Sequence, residues 1–253
     1  MNQIDDTKGV WGAHIANIEN KNDVELLVID NNSTDGSGEW ITKYVFPHFP
    51  DHRLIRNEEN LGVVKTMQQA WKEAKGDVIA ILHNDLLVLE KGWDKRVLDL
   101  FESNSNIGLA GFFGCSGFGY DGGRMDCNSN FVEAEVHGTR NTGNKRVLGF
   151  DGISLICRRE MMEKVGGFDQ DYTFHHFYDK DLSMSSFNAG YENWFIGVYC
   201  HHLNGLTANR SDYAKWIDEK MGTTGYTGDL ASYKASEKRF IEKWRGKLPW
   251  IIR

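Results

Sequence analysis

The chain has 253 residues, 40 % of them hydrophobic, and a formal net charge of −7. That size carries one large domain, or a domain with a small appendage, around a real core, and the acidic balance argues against nucleic acid as a main partner. No apolar stretch approaches the roughly 18–20 residues of a membrane span and no signal peptide opens the sequence, so a cytoplasmic protein is expected, with peripheral membrane contact left open.

Taken in chain order, the first segment of helical character contains Trp11, Ile15 and Ile18. Residues 24–29 (VELLVI) form a short apolar run that ends in Asp30-Asn31-Asn32-Ser33-Thr34-Asp35-Gly36, a strand feeding a polar turn. Residues 37–45 can form a helix and 53–56 a second short strand. Val63, Val64, Met67, Ala70, Trp71 and Ala74 recur at helical spacing and predict a helix over 61–75, with Asn60 as N-cap and Gly76 at C′. Val78–Leu82 reads as a buried strand. It runs into His83-Asn84-Asp85, after which apolar residues resume at 86–89. Asp85 thus interrupts an apolar stretch, and aspartate is rarely buried without a partner. Trp93, Val97, Leu100 and Phe101 mark a further amphipathic helix.

This alternation of strand and helix indicates an α/β domain with a largely parallel sheet. In such sheets ligands bind at the carboxyl ends of the strands, the edge on which residues 30–36 and 83–85 both fall. Two polar interruptions on one edge favour a site over two solvated turns.

The second half is more mixed. Residues 107–113 are strand-like, and 114–146, rich in Gly, Asn and charge, predict a long loop with irregular strands. Residues 149–157 (GFDGISLIC) read as one buried strand, 158–165 as a helix stopped by Gly166-Gly167, and 179–189 as a helix ending at Gly190. A strand over 194–199 closes on His201-His202, and 212–221 and 230–245 look helical, covering one face or lying against a neighbour. The four cysteines (Cys115, Cys127, Cys157 and Cys200) lie far apart, lack zinc-site spacing and read as reduced thiols.

The segments VELLVIDNNSTDGS, NEENLGVVKTMQQAWKEAKGDVIAILHND, GFDGISLICRREMMEKVGGFDQDY, FYDKDLSMSSFNAGY and HHLNGLT, in this order and spacing, resemble family 2 glycosyltransferases of the GT-A fold over roughly residues 15–207. The resemblance implies an α/β nucleotide-binding fold with a mostly parallel central sheet flanked by helices. It implies a GT-A domain over 1–210, with a nucleotide-binding part to about 113 and an acceptor-binding part from about 114, then a C-terminal helical extension over 211–253. The implied activity is inverting transfer of a sugar from a nucleotide-diphosphate sugar to a hydroxyl of a glycan or other acceptor, in glycan or polysaccharide synthesis, with Mn2+ or Mg2+ as cofactor. The oligomeric state is left open. Three departures stand out. The usual apolar first strand is missing, because Met1 to Asp6 is too short and polar to supply it. The family's D-x-D motif has lost its first acid to His83. The family's Glu-Asp pair before the catalytic helix reads Tyr178-Asp179.

The site residues follow from this resemblance and from their chemistry. A hard divalent cation held by carboxylates and substrate oxygens neutralises a departing diphosphate. Asp85 suits that task, with His202, first residue of HLNGLT, as partner. His83 is a third metal candidate, a poor ligand for magnesium but acceptable to manganese. His201 is the alternative to His202, since neighbours on an extended chain point to opposite sides. Asp30, Asn31, Asn60 and Asn84 are candidates for nucleotide contact through hydrogen bonds, against an Asx-rich turn as the alternative for 30–36. Asp179 is the candidate general base for the acceptor hydroxyl, against helix capping. Asp151, Asp181 and Trp194 are candidate substrate contacts, with core packing the alternative for Trp194. Asp179 and Asp181 are two apart on a helix, about 200° around it, so only one of them faces the site. Two other functions stay in view: a catalytically silent nucleotide- or sugar-binding module, and a sugar-nucleotide nucleotidyltransferase, whose Gly-rich phosphate loop is absent near the start.

Overall fold

A computed structural model describes residues 4–133, 138–172, 174–203 and 211–252, without the side chain of residue 212. The described chain opens on a helix, α1 (Ile4–Asn17), in which Val10 and His14 are buried and Trp11 and Ile15 pack against the core. Strand β1 (Glu25–Asp30) follows, then α2 (Ser37–Tyr44), a 3-10 turn at Phe46–His48, and β2 (Asp51–Arg56), which pairs parallel with β1. Helix α3 (Val63–Glu73) buries Val64, Met67 and Trp71, the three- and four-residue spacing of a helix packed on a core.

The start of α3 departs from expectation. Its N-cap is Gly62, at φ 77, and Asn60 instead accepts the Gly62 N–H at 3.0 Å. The N–H groups of Val63 and Val64 both donate to the Phe174 carbonyl, at 3.0 and 3.1 Å. A distant loop therefore supplies the acceptor that the first turn of a helix needs. At the other end the chain turns extended at Ala74, which is the C-cap, so Gly76 lies beyond the helix.

Strands β3 (Val78–Leu82) and β4 (Leu86–Val88) flank the turn at 83–85, and α4 (Trp93–Ser103) and β5 (Ile107–Gly111) follow. The stretch expected to be a long loop with irregular strands followed by one strand is built of six strands, β6 (Phe113–Phe118), β7 (Arg124–Ser129), β8 (Thr139–Arg140), β9 (Asn144–Val147), β10 (Gly149–Phe150) and β11 (Ser154–Arg158). Its glycines mark close approach as well as turns. Gly117 sits in β6 with no space for a Cβ against the Trp250 carbonyl. The remaining elements are α5 (Arg159–Val165), α6 (Tyr178–Asn188), β12 (Glu192–Ile196), β13 (Cys200–His202), α7 (Ser211–Met221), α8 (Gly228–Trp244) and β14 (Trp250–Ile251).

The central sheet has the order β3-β11-β5-β12-β9. The expected parallel pairing is found in β5–β12 and in the separate β1–β2 pair, whereas β11 runs antiparallel to both β3 and β5, and β9 antiparallel to β12. The cause is the excursion between β5 and β11. It forms a second sheet, β10-β6-β7-β8 with β14 on β6, and returns the chain through the central sheet in the opposite direction. Helix α3 packs against both β1 and β3. Among the described residues no strand pairs the second edge of either one.

The C-terminal segment is part of the fold and is not purely helical. Phe240 and Trp244 of α8 lie in the same core as Leu182 of α6, and β14 pairs antiparallel with β6. The four cysteines are free thiols. No helix among the described residues is long and apolar enough to cross a membrane.

Candidate active site

The turn after β3 presents His83, Asn84 and Asp85. Asn84 is exposed, while Asp85 is only 6 % exposed. Strand β13 runs antiparallel to β4 with His202 opposite Leu86, and this register brings His202 Nε2 to 3.5 Å from Asp85 Oδ2. His83 Nδ1 lies 4.0 Å from Asp85 Oδ1, a buried oxygen with no hydrogen-bond partner among the described residues. His201 points to the other side of its strand and meets Glu133 Oε1 at 2.8 Å. Of the two adjacent histidines it is thus His202 that joins Asp85. Residues 204–207 of the HLNGLT stretch lie outside the described residues.

Burial is the largest influence on the Asp85 carboxyl and would raise it, but the hydrogen bond from His202 and the charges of His83 and His202 together leave the group below its ordinary 3.8. Burial would likewise lower His202, yet the Asp85 hydrogen bond and charge leave it above 6.5. His83 goes the other way, held below its ordinary value by burial. Two imidazoles and a buried carboxylate are donors of the kind a divalent cation takes, although the three ligand atoms do not all lie within 4.8 Å of one another. The nitrogen donors suit manganese better than magnesium.

A second cluster forms where the expected strand over 149–157 breaks. The break, Asp151-Gly152-Ile153, separates β10 from β11. Arg124, at the start of β7, reaches both nearby acids: its Nη2 lies 3.1 Å from Asp151 Oδ2 and donates to Asp179 Oδ2 at 2.6 Å. The same Asp179 oxygen accepts the Gly152 N–H at 3.0 Å, and Oδ1 accepts the Lys180 N–H at 2.8 Å. Asp179 is 5 % exposed, in the first turn of α6. One guanidinium therefore holds two carboxylates from different elements in register. Burial is the largest influence on Asp151 and would raise it, but the charges of Arg124, His83 and His202 and the Ile153 N–H together keep that carboxyl below 3.8.

Tyr178 joins the two clusters. Its hydroxyl lies 3.4 Å from His83 Nε2 and rests on Gly152, where a Cβ would overlap it. The loop leading to α6 contains two bulky residues in the left-handed region, Phe174 at φ 50 and Phe177 at φ 64. Such backbone costs about 1–3 kcal/mol per residue and gathers at functional sites.

The other candidates lie elsewhere. Asp181, 2 % exposed, is on the far side of α6. It accepts hydrogen bonds from the Tyr172 hydroxyl at 3.1 Å, Trp244 Nε1 at 2.8 Å and Lys243 Nζ at 2.8 Å. Trp194 is half-buried on β12, packs into the core and donates to Glu192 at 2.9 Å. Asp30 Oδ1 accepts the Ser33 N–H at 2.8 Å, which ties down the turn after β1, and its Oδ2 lies 3.6 Å from Arg56. Asn31 ties the β1 and β2 exits together: it donates to Asn60 Oδ1 at 2.6 Å and accepts from Asn57 Nδ2 at 3.1 Å and the Leu61 N–H at 3.0 Å. Asn60 also lines a cavity of about 250 Å³ shared with Phe174 and with Trp216 of α7.

Arg124 and Gly152 went unnoticed in the sequence. Arg124 lies in the segment read as a loop and meets Asp179 across 55 positions, so no local spacing announces it.

The sequence profile described as glycosyl transferase family 2 matches residues 13–166. No curated protein matches the chain. Among solved structures, the mannosyltransferase PcManGT from Pyrobaculum calidifontis, in complex with GDP-Man and Mn2+, is similar at 14 % identity and a TM-score of 0.58, over 97 % of this chain and 72 % of that one. GalNAc-T7 with UDP, GalNAc and Mn2+ is similar at 13 % identity and a TM-score of 0.63, over 96 % of this chain and 54 % of that one. S. aureus TarS 1–349 is similar at 13 % identity and a TM-score of 0.56, over 78 % of this chain and 56 % of that one. The chain thus spans about half the length of the last two, and at these identities the likeness is one of fold.

Proposed function

The chain belongs to glycosyl transferase family 2, and from that premise we propose that it moves a sugar from a nucleotide-diphosphate donor to a hydroxyl acceptor, with inversion and with a divalent metal ion, in making a glycan or polysaccharide. The observation that carries this reading is the meeting of two acidic clusters at Tyr178 and His83: Asp85 with His202 on one side, Asp179 with Arg124 and Asp151 on the other.

Asp85, His202 and His83 are the residues that would hold the ion, and the Mn2+ in the PcManGT and GalNAc-T7 structures supports that choice. When bound, the ion neutralises charge on the departing diphosphate. The chain's own groups do the rest. Asp179 takes the proton of the acceptor hydroxyl as its oxygen bonds to the anomeric carbon and the bond to the diphosphate breaks. Arg124 fixes the orientation of Asp179 and holds Asp151 for contact with sugar hydroxyls. Asp30, Asn31 and Asn60 shape the edge offered to the base and ribose, and Asn84 is open to the diphosphate. Asp181 and Trp194, committed elsewhere, have no part in this scheme.

Nucleotide release from a panel of nucleotide-sugars with Mn2+ tests the reading, using the wild type, Asp85→Ala and Asp179→Asn. Release by the wild type and a loss of about 10²–10⁴ in rate for Asp179→Asn with donor binding kept are expected. Binding without release from any donor would replace the reading by a silent binding module. Unchanged release by Asp85→Ala would remove the metal assignment.

A further inference from the structure

Away from Asp85, three metal-ligating side chains converge on one point. His175 and His176, in the loop before α6, and Asp229, in the first turn of α8, bring their ligand atoms within 4.8 Å of one another. Both imidazoles direct Nε2 at the same carboxylate oxygen: His176 Nε2 lies 2.9 Å and His175 Nε2 3.2 Å from Asp229 Oδ1. We propose that His175, His176 and Asp229 form a second transition-metal site, suited to Zn2+, with solvent in its fourth position.

Three features carry this. First, the spacing is right. Tetrahedral zinc with bonds of roughly 2.0–2.1 Å sets its ligand atoms about 3.3 Å apart, and both nitrogen-to-carboxylate spacings, 2.9 and 3.2 Å, are within a few tenths of an ångström of that. Second, the orientation is built. Adjacent residues of an extended chain point apart, yet these two rings lie 4.0 Å apart, because the chain turns here between the positive-φ residues Phe174 and Phe177. The Tyr213 hydroxyl lies 2.9 Å from His175 Nδ1. Ligating histidines are held in this way by a partner on the second ring nitrogen. With the ion on Nε2, the single ring proton sits on Nδ1 and Tyr213 Oη accepts it. Third, the ion has access. The Asp229 side chain is 52 % exposed while the histidines are 20 % and 18 % exposed, which leaves an open side for entry and for a water ligand. Two nitrogen donors with one carboxylate select against magnesium and calcium.

The site would join three segments, the 174–177 loop, α7 and α8. That loop caps α3 through the Phe174 carbonyl and leads into the helix that carries Asp179. An ion here would therefore clamp the C-terminal helices onto the Asp179 side of the molecule. The inference stands without the transfer reaction, since its readout is metal binding.

Titration of the full chain with Co2+, followed by its visible d–d absorption, and with Zn2+ by calorimetry tests the site. Asp85→Ala is expected to keep one equivalent that develops d–d bands. Asp229→Asn and His176→Gln in that background are expected to lose it, and Tyr213→Phe to weaken it about 10-fold or more. Circular dichroism of each variant checks that it is folded, and the isosteric Asp229→Asn is the least disruptive of them. Loss of all Co2+ and Zn2+ binding in Asp85→Ala, or an unchanged second equivalent in folded Asp229→Asn, would overturn the proposal.

Discussion

The hydroxyl of Tyr178 lies 3.4 Å from Nε2 of His83, so the turn after β3 and the first turn of α6 meet at an imidazole and a phenol. An acid pair at that distance would need a proton or a cation between its members. A phenol and an imidazole need neither. The coupling is measurable. Tyr178→Phe and His83→Ala, alone and together, should give an interaction energy of about 0.5–1.5 kcal/mol in a double-mutant cycle of denaturant unfolding. Strict additivity would show that the contact carries no energy.

Arg124 is the next test, because it is the shared donor of Asp151 and Asp179. Arg124→Met leaves two acids facing each other, with the Asp179 side chain buried and that of Asp151 36 % exposed. It should lower unfolding free energy by about 3 kcal/mol, with the double variant Arg124→Met/Asp179→Asn losing less than the sum of the singles. Chemical denaturation of the four proteins measures this directly.

Gly152 has no space for a side chain under the Tyr178 ring. Gly152→Ala should therefore push Tyr178 away from His83, costing about 1–3 kcal/mol through overpacking and lowering Tm by several degrees. An unchanged Tm would show that the ring moves without cost.

The Asp85–His202 pair has a definite pH window. His202 sits above its ordinary 6.5, so its share of the pair's stability is full below that value and fades as pH rises through its raised pKa. Asp85 sits below 3.8, so its share is present above that value and is lost only as pH falls through its lowered pKa. With chelator present, the Tm difference between wild type and His202→Ala should be largest between about pH 4 and 6.5 and shrink toward pH 8. The pH-dependent part should be about 1 kcal/mol, or about 2–4 °C. A difference that grows with pH would contradict the pairing.

The segment after residue 210 also makes a prediction. Asp181 takes two of its three side-chain donors, Trp244 and Lys243, from α8, and Phe240 is fully buried. A chain ending at residue 210 should fail to give a cooperative unfolding transition by circular dichroism, since a buried acid is stranded and a core face is stripped.

The success of the sequence reading is uneven for a physical reason. Strand β3, helix α3 and the two terminal helices were legible because each buries one face, and burial imposes a period of two or 3.6 on the apolar residues. Residues 114–146 read as a loop with irregular strands because glycine in a sequence reads as punctuation. In β6 the glycines instead make way for neighbouring backbone and rings, as at Gly117 beneath Trp250. The break at Asp151-Gly152 was read through as strand because its neighbours on both sides are apolar.

What the sequence determined by itself is the α/β class, the family likeness and the acids that interrupt apolar strands. These rest on local patterning and on the cost of burying charge, which any stretch of chain displays. The tertiary structure decided which polar groups meet. It turned His202 toward Asp85 and His201 toward Glu133 through the register of β13 on β4. It set Arg124 between Asp151 and Asp179, and sent Asp181 into the C-terminal helix. It brought His175 and His176 together on Asp229 from 53 or more positions away. Such pairings depend on strand register and on the angle between packed elements, and neither leaves a periodic trace in the order of residues.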